Sequence, residues 1–223
     1  MGGIISDGFI TRLLYVSKVA NLGTPKHCIE AGTYRGDSTV IFASHLDNII
    51  TIELSEKWRH ISKKRLLPYS NITCHLGDSA SIIKNIIPDI KEPILFFLDA
   101  HFAGGDTAFG AEEVPLNREL EVLRSRKEKD IIIIDDYRLI GKQGESGKEG
   151  DSIYPKMNFD WRTVSMESIE KPLGKGFLNP WLIKNDKIII FRNLCIYQAC
   201  IISALVALIK VIDGARGIFK RGN

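Results

Sequence analysis

A chain of 223 residues is long enough for one domain with a sizeable core, and its 44% hydrophobic and 26% charged residues exclude a disordered or fibrous protein. The formal net charge of +3 is spread over segments of mixed sign, so no nucleic-acid partner is expected. Cys28, Cys74, Cys195 and Cys200 have no C-x-x-C spacing, which argues against a zinc or redox motif and for a reducing, cytoplasmic compartment.

The opening residues match the N-myristoylation pattern, with Gly2 after the initiator Met and Ser6 at the sixth position. No basic stretch followed by an apolar run is read there, so no secretory signal is expected. Residues 1–24 read as a helical lead-in to a domain over 25–193, with a hydrophobic tail over 194–223.

Within the domain, short apolar runs alternate with segments of helical period, the pattern of an α/β fold with a parallel sheet. Strands are expected over 27–30, 49–53, 71–76, 94–98 and 131–134. Helices are expected between them over about 37–45, 56–67 (stopped by Pro68), 79–87 and 115–126. The run 94–98 is apolar throughout, as in a strand covered on both faces. The four isoleucines of 131–134 make that strand the expected centre of the sheet.

Residues 141–158 are polar and carry four glycines, so a long loop or mobile lid is expected, followed by a helix near 160–169. Two last strands, 177–183 and 187–192, are separated by three residues, which is hairpin spacing. The expected fold is therefore a doubly wound, Rossmann-like, seven-stranded and mostly parallel sheet with a C-terminal antiparallel hairpin.

Chemistry-bearing residues collect where the strands end. Glu30-Ala31-Gly32-Thr33-Tyr34-Arg35-Gly36-Asp37-Ser38 follows the first strand and opens a helix. Its glycines permit a sharp turn and close approach to a bulky ligand, and free N–H groups at the helix start suit polar ligand groups. Glu30 is placed to accept from a ligand's ammonium. Glu53 ends the second strand, 17 positions after Gly36, where an acid chelates ribose hydroxyls. Gly77-Asp78-Ser79 follows the third strand, and Asp78 or Ser79 also suits a helix N-cap.

The acidic-x-Gly-x-x-x-Gly-x-Ser pattern, with the two later acids in order, resembles class I S-adenosylmethionine-dependent methyltransferases. The resemblance covers about residues 25–193. It implies cofactor contacts from Glu30, Gly32, Thr33, Tyr34, Gly36, Ser38, Glu53, Asp78, Ser79 and Asp99. A nicotinamide site would instead call for G-x-G-x-x-G.

Asp99 ends the fourth strand, and Asp135 and Asp136 end the fifth. Neighbouring strands would bring the three carboxylates to one rim, where they repel unless neutralised; a hard divalent cation, magnesium by default, would do this. The trio is similar to the ligands of metal-dependent O-methyltransferases of the catechol and macrocin types. That likeness implies a metal that lowers the pKa of an acceptor hydroxyl on a small molecule or sugar. Those enzymes carry a Lys or His three residues past the strand-four acid, where this chain has Phe102; His101, one residue earlier, is the nearest catalytic substitute. The acidic, glycine-rich stretch 104–113 lies where acceptor loops belong.

The tail carries no charge over 194–209, and its apolar run continues past Lys210 to Ile212. It reads either as a membrane-associated helix or as one buried in a homodimer interface or against the sheet. Two rival functions are a cofactor-binding interaction module without catalysis and hydroxylase-like chemistry on the same scaffold.

Overall fold

The computed structural model describes residues 5–102, 104, 106–151, 156–174 and 181–219, with side chains of the final helix placed as far as Leu208. Gly2, Gly105 and residues 177–180 of the expected penultimate strand lie outside the described residues.

Five strands run parallel: β1 (His27–Ala31), β2 (Asn48–Glu53), β3 (Ile72–Leu76), β4 (Ile94–Leu98) and β5 (Ile131–Ile134). With β6 (Gln143–Ser146), β7 (Met157–Asp160), β8 (Trp181–Lys184) and β9 (Lys187–Phe191) they form two sheets. The seven-stranded sheet has the order β3-β2-β1-β4-β5-β9-β8, and β9 lies antiparallel to both β5 and β8. The doubly wound sheet with its closing hairpin is thus as the sequence implies. The order reverses between β1 and β4, which opens a crevice beyond the carboxyl ends of the parallel strands.

Strand alternation divides the core. Ile29, Phe96, Leu98, Ile132 and Ile134 pack on one face, while Cys28, Leu95, Phe97, Ile131 and Ile133 pack on the other. The first face is covered by α4 (Ser79–Ile86), α5 (Leu116–Leu123) and α6 (Met166–Leu173), through Ile83, Leu120 and Ile169. The second is covered by α1 (Asp7–Val19), α2 (Asp37–His45) and α7 (Ile196–Phe219), through Ile10, Phe42 and Ile202. The remaining helix, α3 (Glu56–Leu66), buries Trp58 and Leu66. Side-chain caps set several of the starts: Ser6, Ser55, Asp78 and Ser165 each accept a backbone N–H from the first turn of α1, α3, α4 and α6.

Three sequence expectations are corrected. The strand of isoleucines, β5, is buried throughout but lies one place from the centre, which β4 occupies. The stretch 141–158 is not all loop, because Gln143–Ser146 pairs antiparallel with Met157–Asp160 in a separate two-stranded sheet. The helix expected near residue 160 begins at Met166, because Asp160 ends β7 and Ser165 caps the helix in a reciprocal bond pair with Ser168.

The tail helix packs Ala199, Ile202 and Val206 into the second core, and the Gln198 side-chain amide bonds the carbonyl of Asn21 behind α1. Among the described residues, no helix is long and apolar enough to cross a membrane. The side chains of the tail beyond Leu208 lie outside the described residues.

Candidate functional site

A cavity of about 570 Å³ opens beyond the carboxyl ends of β1, β2, β4 and β5, a volume suited to a small-molecule ligand. Its first wall is the turn after β1. Gly32 has φ +93°, and a Cβ there would lie 2.4 Å from the carbonyl oxygen of Asp99, so only glycine fits. Gly36, at φ +77°, starts α2 against Leu66. Tyr34 also has positive φ; its ring packs on Trp58, and the Arg35 guanidinium lies over both rings.

Glu30 is 1% exposed. Its Oε2 accepts from the hydroxyls of Thr39 and Thr51, and the Thr51 oxygen in turn meets the Thr33 hydroxyl. Its Oε1 is buried with no partner. Burial, with the nearby Asp99 and Glu53 charges, outweighs the two hydroxyl donors and raises the Glu30 pKa to about 8.

Glu53 ties the second strand to the turn after the first. Its Oε2 accepts from Tyr34 N–H and its Oε1 from Ser55 N–H, each at 2.8 Å, and its burial raises its pKa. Asp78 accepts from the Ser81 amide and hydroxyl and pairs with Arg118; these bonds overcome partial burial and hold its pKa below the usual range. Ser79 donates to buried Glu119, whose pKa burial raises to about 7. Gly32, Thr33, Tyr34, Ser38, Glu53, Asp78 and Ser79 all line the cavity, as does Glu30; Gly36 shapes the turn from behind.

The opposite wall is the rim of β4 and β5. Parallel pairing of these strands sets Asp99 beside Asp135 and Asp136, and all three line the cavity. His101 bridges two of them, with Nδ1 3.4 Å from Asp99 Oδ1 and Nε2 3.1 Å from Asp136 Oδ2. Its ring meets that of Trp161 in an edge-to-face arrangement, with centroids 5.1 Å apart. Burial disfavours the charged imidazole, but Asp99 and Asp136 outweigh it and lift the pKa to about 8. Asp135 turns to Lys187, whose Nζ donates to its Oδ1 at 2.9 Å, with both residues buried. Burial and the Asp99 charge raise the Asp135 pKa to about 7 against the pull of Lys187. Arg138 pairs with Asp136 and with Asp186.

Oxygen or nitrogen atoms of Asp99, His101 and Asp136 lie within 4.8 Å of one another, as do those of Asp135, Asp136 and Asp186. That spacing would admit an ion. The charges fit one poorly, because four carboxylates here already face three cations of the chain, Lys187, Arg138 and His101.

Lys187, Asp186, Arg118, Glu119 and Trp161 are absent from the residues the sequence singles out. Trp161 lines the cavity beside β7, together with Met157 and Phe159 from that strand. Their placement depends on the β6–β7 pairing and on β9 entering beside β5, which no local motif reports.

No protein-family model matches the sequence, and no curated protein matches it in sequence. Solved structures do match the fold. An O-methyltransferase from Bacillus cereus, in complex with SAH, aligns with a TM-score of 0.54 at 15% identity over 84% of this chain and 82% of its own. A candidate caffeoyl-CoA O-methyltransferase from Staphylococcus aureus aligns at 0.51 and 16% identity over 86% of each chain. The O-methyltransferase TomG from Streptomyces achromogenes, in complex with SAM, aligns at 0.50 and 14% over 83% of this chain and 80% of its own.

The chain has the class I methyltransferase fold. In an open α/β sheet ligands bind in the crevice at the switch point, and here that crevice gathers Glu30, Gly32, Glu53 and Asp78 on one side and Asp99, His101, Asp135 and Asp136 on the other. The glycine-rich segment after β4 belongs to the same crevice, through Thr107, Ala108, Gly110 and Glu112.

Proposed function

We propose that the chain is an S-adenosylmethionine-dependent methyltransferase acting on a hydroxyl of a small molecule or sugar. One observation carries the reading: buried Glu30 borders the cavity with an unpartnered oxygen, next to the tight turn that only Gly32 permits. A buried carboxylate oxygen without a donor is costly, and a ligand ammonium supplies both the donor and the charge.

In this reading Glu30 takes the ammonium of the cofactor's amino-acid part, and the turn through Gly32, Thr33, Tyr34, Gly36 and Ser38 wraps around it. Glu53 holds ribose hydroxyls, and Asp78 and Ser79 border the base. Bound there, S-adenosylmethionine supplies an electrophilic methyl group on a sulfonium. His101, steadied by Asp99, Asp136 and the Trp161 ring, takes the acceptor's hydroxyl proton on a ring nitrogen. Trp161, Phe159 and Met157 wall off the acceptor side and exclude water. The O-methyltransferase names of the similar structures support a hydroxyl acceptor. Four free cysteines support a cytoplasmic setting.

The test is calorimetry with S-adenosylmethionine on the wild type and Glu30→Gln, followed by mass spectrometry of a panel of hydroxyl compounds. The expected result is saturable binding, weakened about tenfold or more in the variant, as for loss of a charged hydrogen bond. S-adenosylhomocysteine should form with at least one acceptor. Tight binding with no transfer to any hydroxyl compound would favour the interaction-module alternative. Absence of binding would overturn the reading.

A further inference from the structure

Asp99, Asp135 and Asp136 crowd three carboxylates onto one rim and need a counter-charge, which the fold supplies from the β8–β9 hairpin. The turn between β8 and β9 folds over the end of β5, where the Asp186 carbonyl and carboxylate accept the amides of Tyr137 and Arg138. The next residue, Lys187, enters the sheet 3% exposed, with its ammonium on Asp135. Arg138 and His101 complete the set by pairing with Asp136. Lys187 does not line the cavity, but Asp135 does, so the lysine acts on the site through that carboxylate.

We infer that Lys187 stands in for a divalent ion at the β4–β5 rim, so that the site binds its cofactor and works without metal. The inference rests on the methyltransferase reading and deepens it. A lysine ammonium paired with a buried carboxylate is a compact point charge that fixes the carboxylate's orientation. It leaves Asp135 unable to coordinate an ion without first breaking a buried ion pair, which is strongly unfavourable. The hairpin thus contributes to the site as well as closing the sheet. Lys187 is a positioning residue, and removing it should expose the latent carboxylate site.

The experiment titrates Mn2+ into chelator-treated wild type and Lys187→Met and follows the free-ion signal by electron paramagnetic resonance. S-adenosylmethionine binding is measured separately by calorimetry with and without chelator. The wild type should leave the Mn2+ signal unchanged, and chelator should alter its cofactor affinity less than twofold. Lys187→Met should take up about one equivalent of Mn2+, and Lys187→Arg should again take up none. Stoichiometric Mn2+ binding by the wild type that Asp135→Asn abolishes would overturn the inference, whether or not Lys187→Met folds. Loss of cofactor binding under every condition would sink the methyltransferase reading instead, so the two failures are distinct.

Discussion

Gly32 and Asp99 are locked together: the first turns after β1 at φ +93°, and the space a side chain would need there holds the backbone carbonyl of the second. The turn after β1 and the β4 rim therefore share one contact, and a shift in either moves both walls of the cavity. Gly32→Ala adds left-handed backbone strain to a clash with main chain that has no rotamer to escape into. The expected cost is about 1–3 kcal/mol from the backbone alone, with more from the displaced rim. Thermal unfolding should show a lower midpoint, and calorimetry on the folded variant should show cofactor affinity down by more than tenfold. An unchanged midpoint and affinity would mean the turn is free to reshape.

Glu30 makes binding pH-dependent. With its pKa near 8 it holds a proton in the free protein at pH 7, on the side away from its two threonine donors. An ammonium beside it favours the ionised form, so binding should release up to one proton at pH 7. Affinity should climb as pH rises towards about 8 and fall again once the ligand's own ammonium loses its proton. Calorimetry in two buffers of different ionisation enthalpy measures the release directly. Glu30→Gln should abolish it, whereas release that persists in that variant would assign the proton to another group.

Much of this was legible in the sequence for a simple reason. Parallel strands buried on both faces read as continuous apolar runs, and the residue after each run lies at a strand tip, so Glu30, Glu53, Asp78, Asp99, Asp135 and Asp136 could be placed on one edge from order alone. The partners of those acids were not legible. Met157–Asp160 alternates apolar and polar for only four residues and its partner Gln143–Ser146 carries no apolar side chain, so the pairing that brings Phe159 to the cavity has no two-sided signature in the sequence. Lys187 reads as an ordinary residue after a turn, and its role appears only once β9 lies antiparallel beside β5 with Asp135 at its side. A motif records what one segment does; a counter-charge comes from wherever the chain returns.

A second buried charge lies at the opposite end of the sheet and should affect stability alone. Arg126 grips Asp130 through Nε and Nη2, at 2.8 and 3.0 Å, and also donates to the carbonyls of Ile87, Ile90 and Glu92. Neither Arg126 nor Asp130 lines the cavity. Arg126→Met leaves buried Asp130 without its counter-charge, with the Ile94 amide still donating to it, and takes a donor from the Ile87, Ile90 and Glu92 carbonyls, which should cost about 3–5 kcal/mol. Denaturant unfolding should show that loss, while cofactor affinity of the folded fraction stays within twofold. A change in affinity larger than the change in stability would connect the two ends of the sheet.

His101 gives the rim its own titration. Burial alone would keep the imidazole neutral, but the carboxyl groups of Asp99 and Asp136 against its two nitrogens outweigh it and lift the pKa to about 8. Below that pH the ring is a cation and cannot accept a proton; above it one ring nitrogen is unprotonated and can take one from an acceptor hydroxyl in place of its carboxylate contact. Methyl transfer should therefore rise with pH through about 8 and then level off, and His101→Gln should lose both the rise and about 10²–10⁴ of the rate. The ring can also be watched without any acceptor, by following its carbon-bound protons by NMR from pH 5 to 10. Asp136→Asn should move the midpoint down by about one unit, as for loss of one neighbouring charge. A wild-type midpoint near the ordinary histidine value would separate the ring from its two carboxylates and remove His101 as the proton acceptor.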